Sequence, residues 1–162
     1  MFSKLIRNIY RIIKIIEQNL VVVLLGIMVG NVAVGVFFRY VLNNSLPWTE
    51  ELARYLMIWF AFVGMAIAFQ EEGHVNVSFV VNLFPIAIRN FIKIFSYLLV
   101  IFFLITLFSQ SLNVLRLVRI QISPALGIPM IYPYLSVTFG SLLMAIEVIR
   151  LICSNIVAIF KK

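Results

Sequence analysis

The ionisable side chains of this 162-residue chain fall into a few short clusters, and their spacing decides what chemistry they offer. Arg54 follows Glu50 by four residues and Glu51 by three, the separations at which side chains meet on one helix face. One of these carboxylates is therefore expected to pair with Arg54 near a membrane interface. Glu147 precedes Arg150 by three residues and reads as a second local ion pair. Arg116 and Arg119 share a face in the same way. His74, the single histidine, follows Glu71 and Glu72 in the run QEEGH. A proton relay is one reading of it; we read a loop histidine at a membrane surface. One histidine and one cysteine, Cys153, leave no means for a bis-His haem within one chain, an internal disulfide or a multi-Cys zinc site. There is no G-x-x-x-x-G-K-[ST] loop, no Ser/His/Asp motif and no Gly-rich dinucleotide fingerprint. The residues thus point to no catalytic residue, no metal site and no cofactor in this chain, and to a protein that is not an enzyme.

The elements that must position these groups are apolar. The chain is 64% hydrophobic and only 12% charged, about half the charge usual in a soluble domain. Leu20 to Phe38 is an uncharged run ending at Arg39-Tyr40; as a helix it reaches roughly 28 Å, close to the hydrocarbon thickness of a bilayer. Three further apolar stretches give an all-α, integral membrane four-transmembrane-helix bundle. Its spans lie at about 20–38, 52–69, 88–115 and 133–153 of a single membrane domain, 1–162. Gly26, Gly30 and Ala33 form a small-residue stripe in span 1, and Trp59 and Gly64 stand in span 2; all five are candidate helix-packing positions. Asn31, the strongly polar side chain of span 1, is expected to bond a neighbouring helix. In VLNNSLPWTEE, Ser45 is expected to cap a helix whose first turn holds Pro47, and Trp48 suits an interfacial anchor. Pro124, Gly127, Pro129 and Pro133 make the connection before span 4 rigid and irregular.

The first residues carry two patterns at once. Lys4, Arg7, Arg11 and Lys14 recur on one helical face, and Leu5, Ile6, Ile9, Ile12, Ile13 and Ile16 on the other. Residues 1–18 are expected to form an N-terminal amphipathic interfacial helix in contact with anionic membrane lipid, with the first turns of a long span 1 as the alternative. The apolar run is too long for a signal-peptide core and ends in Phe37-Phe38-Arg39-Tyr40, so it reads as a retained anchor. The net charge of +7 is that of topology signals, not of a nucleic-acid binder. With four spans and the N-terminus inside, Lys4, Arg7, Arg11, Lys14, Arg89, Lys93, Arg150, Lys161 and Lys162 lie on one side and Arg39, Arg54, Arg116 and Arg119 on the other. The larger set marks the cytoplasmic side, so both termini are expected there.

The run FFRYVLNNSLPWTEELARYLMIWFAFVGMAIAFQEEGHVNV resembles the small membrane subunit of tripartite ATP-independent periplasmic (TRAP) transporters, the DctQ-like family. The residues carrying the likeness are Arg39-Tyr40, Asn44, Trp48, Glu50-Glu51, Arg54, Trp59, Gly64, Ala66 and the Gly73-His74 turn, with Ser123-Pro124-Ala125-Leu126-Gly127-Ile128-Pro129 before span 4. Ser78 departs from the pattern, since many members have an acid there. The resemblance implies a bacterial inner-membrane complex. In it a large multi-span permease subunit (M) moves an organic acid, a C4-dicarboxylate or a sugar acid such as sialic acid, with sodium. A periplasmic solute-binding protein (P) delivers the solute, and the small subunit braces the permease. Substrate and sodium sites would belong to the partner chains.

The residues fit that role. The spans offer mainly Asn31, Ser96, Thr106, Ser136, Thr138 and Ser141 at depth, with charge confined to their ends. A carrier usually keeps an ionisable or discontinuous element at the midplane. The expectation is a non-catalytic subunit whose outer residues Asn44, Trp48, Arg116 and Arg119 are candidate contacts for the periplasmic protein. The alternatives are a self-sufficient small four-helix transporter, which should hold an acid where Asn31 stands, and a structural membrane anchor. A cysteine placed at Val75 should label from the cytoplasmic side only; labelling from outside reverses the orientation.

Overall fold

The computed structural model describes residues 2–70 and 85–160, and for residues 2–9, 86–87, 89–91, 93–94 and 153–160 it describes the backbone alone. Gly73, His74 and Ser78 lie outside the described residues, as do the side chains of Arg89, Lys93 and Cys153. Among the described residues four helices follow one another: α1 (Phe2–Tyr40), α2 (Pro47–Gln70), α3 (Ile86–Val118) and α4 (Ile131–Phe160). All four are long and apolar enough to cross a membrane. The fold class is therefore all-α, with four membrane-spanning helices.

Helix α1 is continuous over 39 residues. The basic segment expected as a separate interfacial helix is joined to span 1 without a break, and the two form one rod of roughly 58 Å. That length exceeds the hydrocarbon layer by several turns. Its first turns, bearing Lys4, Arg7, Arg11 and Lys14, therefore stand outside it or lie along its surface.

Packing runs in the order α1–α2–α4–α3. The chain reaches α3 before α4, but α4 inserts beside α2 and leaves α1 and α3 on the flanks. The buried apolar cluster joins Ala66 of α2, Tyr97 and Leu104 of α3, and Met144, Val148 and Leu151 of α4. The spacings of seven on α3 and of four and three on α4 place each set on one helical face. No described residue of α1 enters this cluster. The two residues of α1 that are buried among those described, Glu17 and Asn31, are both polar.

The small residues that permit close approach are Gly35 and Gly140. A Cβ on Gly35 would meet Thr49 Oγ1 at 2.7 Å, and one on Gly140 would meet Phe62 Cβ at 2.5 Å. Gly26, Gly30 and Gly64, expected to pack helices, have open space where a Cβ would be, and Ala33 is exposed. Within this chain the Gly26–Gly30–Ala33 stripe faces away from the other helices. Where helices meet in hydrocarbon, close backbone contact replaces the hydrophobic effect as the source of affinity. Gly140→Ala is therefore expected to destabilise the helical assembly by about 1–3 kcal/mol, and Gly64→Ala to leave it unchanged. Reversible unfolding in mixed micelles measures both; equal effects would contradict the packing described.

Candidate functional site: two polar knots at opposite ends of the helices

The chain turns sharply between α1 and α2. Asn43 takes a left-handed conformation, φ 50°, and the Asn44 amide donates to Phe38 O at 3.0 Å. Pro47 opens α2, so Leu46 holds the cap position expected of Ser45. The Leu46 carbonyl accepts from Thr49 N at 3.1 Å and Thr49 Oγ1 at 2.7 Å. This turn sets Glu50 facing back towards α1 and Glu51 facing α4. Arg39 Nη2 donates to Glu50, and the pair sits half-exposed. Arg54 is thereby left without a carboxylate partner among the described residues. The expected pairing of Arg54 with Glu50 or Glu51 is corrected: a residue across the tight turn outcompetes the one a helical turn away.

Glu51 is 2% exposed. Its Oε2 accepts from the backbone amides of Ala125, at 2.8 Å, and Leu126, at 3.0 Å. Its Oε1 accepts from the Tyr55 hydroxyl, whose oxygen lies 3.1 Å from Met130 Sδ. Both amides belong to the SPALGIP loop, which has its own frame. Ser123 N donates to Ile128 O at 2.8 Å, Gly127 N to Ser123 O at 3.1 Å and Ile128 N to Ser123 Oγ at 3.3 Å. Gly127 adopts φ 68°, a conformation glycine takes without a Cβ penalty. This closed turn points two adjacent N–H groups at one carboxylate oxygen. About two helical turns beyond Glu51, Trp59 Nε1 donates to Tyr132 O at 3.2 Å and its ring lies 6.3 Å from that of Phe139. The start of α2 is thus fastened to the start of α4.

A second knot forms at the other end. Gln70 Nε2 donates to Glu17 of α1, and both side chains are buried. Arg150 Nε donates to Glu147 Oε2 at 2.8 Å, and Arg150 Nη2 to Gln70 O at 3.4 Å. The Tyr10 hydroxyl donates to Glu147 Oε2 at 3.2 Å, and the Arg150 guanidinium lies 4.9 Å from the Tyr10 ring centre. Three helices, α1, α2 and α4, meet here through polar atoms. Tyr10, Glu17 and Gln70 are the members of this knot that sequence reasoning missed. The signal was available in part: Glu17 breaks the basic pattern of the first turns.

Between the knots the polar groups are spent locally. Asn31 Nδ2 donates to Thr49 O at 2.7 Å. The hydroxyls of Thr106, Ser111, Ser136 and Ser141 donate to carbonyls of their own helices, and Thr138 donates to Ser111 Oγ at 2.9 Å. Every buried polar residue among those described makes at least one hydrogen bond in the protein, while Asn31 Oδ1 and Gln70 Oε1 are buried without a partner. The docking candidates stand at the end held by Glu51: Asn44 and Trp48 beside the α1–α2 turn, Arg116 and Arg119 at the close of α3, all exposed. Replacing Glu51 by Ala leaves two loop amides facing an apolar side chain and is expected to cost roughly 2–4 kcal/mol. Glu51→Gln, which keeps one acceptor, should lose less. Thermal unfolding of the purified chain checks the order; an alanine variant as stable as the glutamine variant contradicts it.

Residues 7–158 match the family model for the tripartite ATP-independent periplasmic transporters, DctQ component. A TRAP transporter small permease protein of Haemophilus influenzae is 33% identical over 145 residues, 89% of this chain and 89% of that protein. The ectoine TRAP transporter small permease protein TeaB of Halomonas elongata is 32% identical over 133 residues, 78% of this chain and 68% of TeaB. The sialic acid TRAP transporter permease protein SiaT of Haemophilus influenzae is 35% identical over 82 residues, 51% of this chain but 13% of SiaT. Matched over almost its entire length, the chain belongs to the DctQ component family of TRAP transporters.

Proposed function

We propose that this chain is the non-catalytic small subunit that braces a large permease subunit (M) and helps a periplasmic solute-binding protein (P) dock for sodium-driven uptake of an organic acid. The observation that carries the proposal is the use made of its polar groups. Each buried polar residue described bonds a neighbouring helix, a loop amide or its own helix; among their buried atoms only Asn31 Oδ1 and Gln70 Oε1 lack a partner, and these two, near opposite ends of α2, do not make a continuous path for a polar solute. A chain built this way supplies shape and rigidity. Membership of a transporter permease family also means that it is not an enzyme.

The relatives support the division of labour. In SiaT the matched segment is a small fraction of a much longer permease, as expected if a DctQ-like unit works against a larger one. TeaB and SiaT carry the names of chemically different solutes, ectoine and sialic acid, which fits a subunit that does not select the cargo. The solute class assigned here is a C4-dicarboxylate or a sugar acid such as sialic acid. The site is a bacterial inner membrane, with both termini cytoplasmic by the distribution of Lys and Arg.

Proteoliposome uptake with each component omitted in turn tests the bracing role. The small subunit alone should give no flux, and the permease without it should lose most of its uptake. Flux from the small subunit alone overturns the proposal. For docking, Arg116→Glu combined with Arg119→Glu should lower uptake at limiting binding protein, because exposed charges act chiefly on encounter. Unchanged uptake under those conditions removes the docking role.

A further inference from the structure

A cleft of about 420 Å³ opens between α1 and α2 at the end held by Glu51. Its floor and walls are small or apolar, with Val32, Gly35 and Val36 from α1 and Ala53 from α2. Its polar lining includes Arg39, Glu50 and Arg54. Arg39 is matched by Glu50, whereas Arg54 meets no carboxylate among the described residues. Among the described residues the lining of the cleft thus holds one guanidinium with no carboxylate paired to it. Arg54 follows Glu50 by four residues, so its Cα lies about 6 Å further along α2, towards the middle of the span. Arg54 is exposed, so its guanidinium can meet a charged head at the surface while the apolar lining below takes hydrocarbon, which matches a molecule that is anionic at its head and hydrocarbon below.

We infer that this cleft is a binding site for one anionic phospholipid, with its phosphodiester on Arg54 and an acyl chain along Val32 and Val36. The charges balance: a single phosphodiester neutralises the surplus guanidinium, and Arg presents the planar donor fork that suits phosphate oxygens. A carboxylate of a partner protein would satisfy Arg54 equally but would leave the apolar floor unused. Gly35 explains why the cleft has a fixed depth. It presses α1 on Thr49, and Asn31 locks that contact from below, so the two helices cannot close over the space.

The test uses the full chain by itself, so its outcome does not depend on the permease. The purified protein is stripped of lipid and titrated with phosphatidylglycerol, phosphatidylcholine or inorganic phosphate, and bound lipid is read by native mass spectrometry. Wild type should retain one phosphatidylglycerol in preference to phosphatidylcholine. Arg54→Gln should weaken retention about tenfold, Arg54→Lys should restore part of it, and Ala53→Leu, which fills the floor without altering charge, should also weaken it. Equal retention by wild type and Arg54→Gln overturns the site, as does equal retention of the two lipids. Displacement of the lipid by millimolar inorganic phosphate would show a bare anion site and overturn it too.

Discussion

The contact on which the arrangement depends is the Glu51 carboxylate buried against the SPALGIP loop. A carboxylate that is 2% exposed is tolerable only if its oxygens are met by donors. Here two backbone amides and a tyrosine hydroxyl meet them. The requirement runs both ways, because the loop's N–H groups also need an acceptor where water is scarce. The result fixes the start of α2 against the start of α4. Those two helices are 80 residues apart by chain at their other end, where Arg150 reaches the Gln70 carbonyl. With both ends tied, α2 and α4 form a central pair, and α3 packs on it through the apolar cluster around Leu104 and Val148.

Helix α1 joins by a different route. In hydrocarbon, apolar side chains gain little by choosing each other over lipid. Apolar patterning therefore cannot say which face of α1 meets α2. Polar atoms can: Asn31 finds the Thr49 carbonyl, Glu17 finds Gln70, and Arg39 finds Glu50. These contacts lie at three depths along the helix and fix its rotation and its height. The remainder of α1, including Val22, Val29 and Val36, presents apolar side chains outward. Such a helix is held firmly on one side and free to meet lipid or a larger membrane protein on the other. That geometry suits a brace.

Much of this was legible in the sequence, and the reasons for the rest are physical. Spans are legible because hydrocarbon thickness demands long apolar runs, and a helix long and apolar enough to cross a membrane stands at each of the four places, although α1 begins at Phe2, well ahead of Leu20. Glu147 and Arg150 are neighbours on one helix, so their contact is visible as a spacing. The partners of Glu51 are 74 and 75 residues away, and no periodicity signals a carboxylate facing a loop. Arg54 misleads for the same reason: helical spacing makes it a fair partner for Glu50, but the reversal of chain at Asn43 brings Arg39 nearer. Glycines mislead in another way. Gly26 and Gly30 have the spacing of a packing motif, yet Gly35 makes the contact, because its place opposite Thr49 is set by the turn. By their charge pattern residues 1–18 suit a surface helix first and the opening turns of a long span 1 as the alternative, and the pattern does not decide between them; the backbone of α1 runs on unbroken into span 1.

If the polar groups are structural ties, the loop amides of Ala125 and Leu126 should behave as part of a folded core despite lying in a connection between helices. Hydrogen–deuterium exchange of the full chain in lipid measures this directly. The account predicts slow exchange at Ala125 and Leu126, comparable to that of the helices they join and far slower than at Asn43 and Ser45 in the other outer loop. Exchange at Ala125 and Leu126 as fast as at Asn43 and Ser45 would show that Glu51 does not hold them, and would contradict the account at its centre.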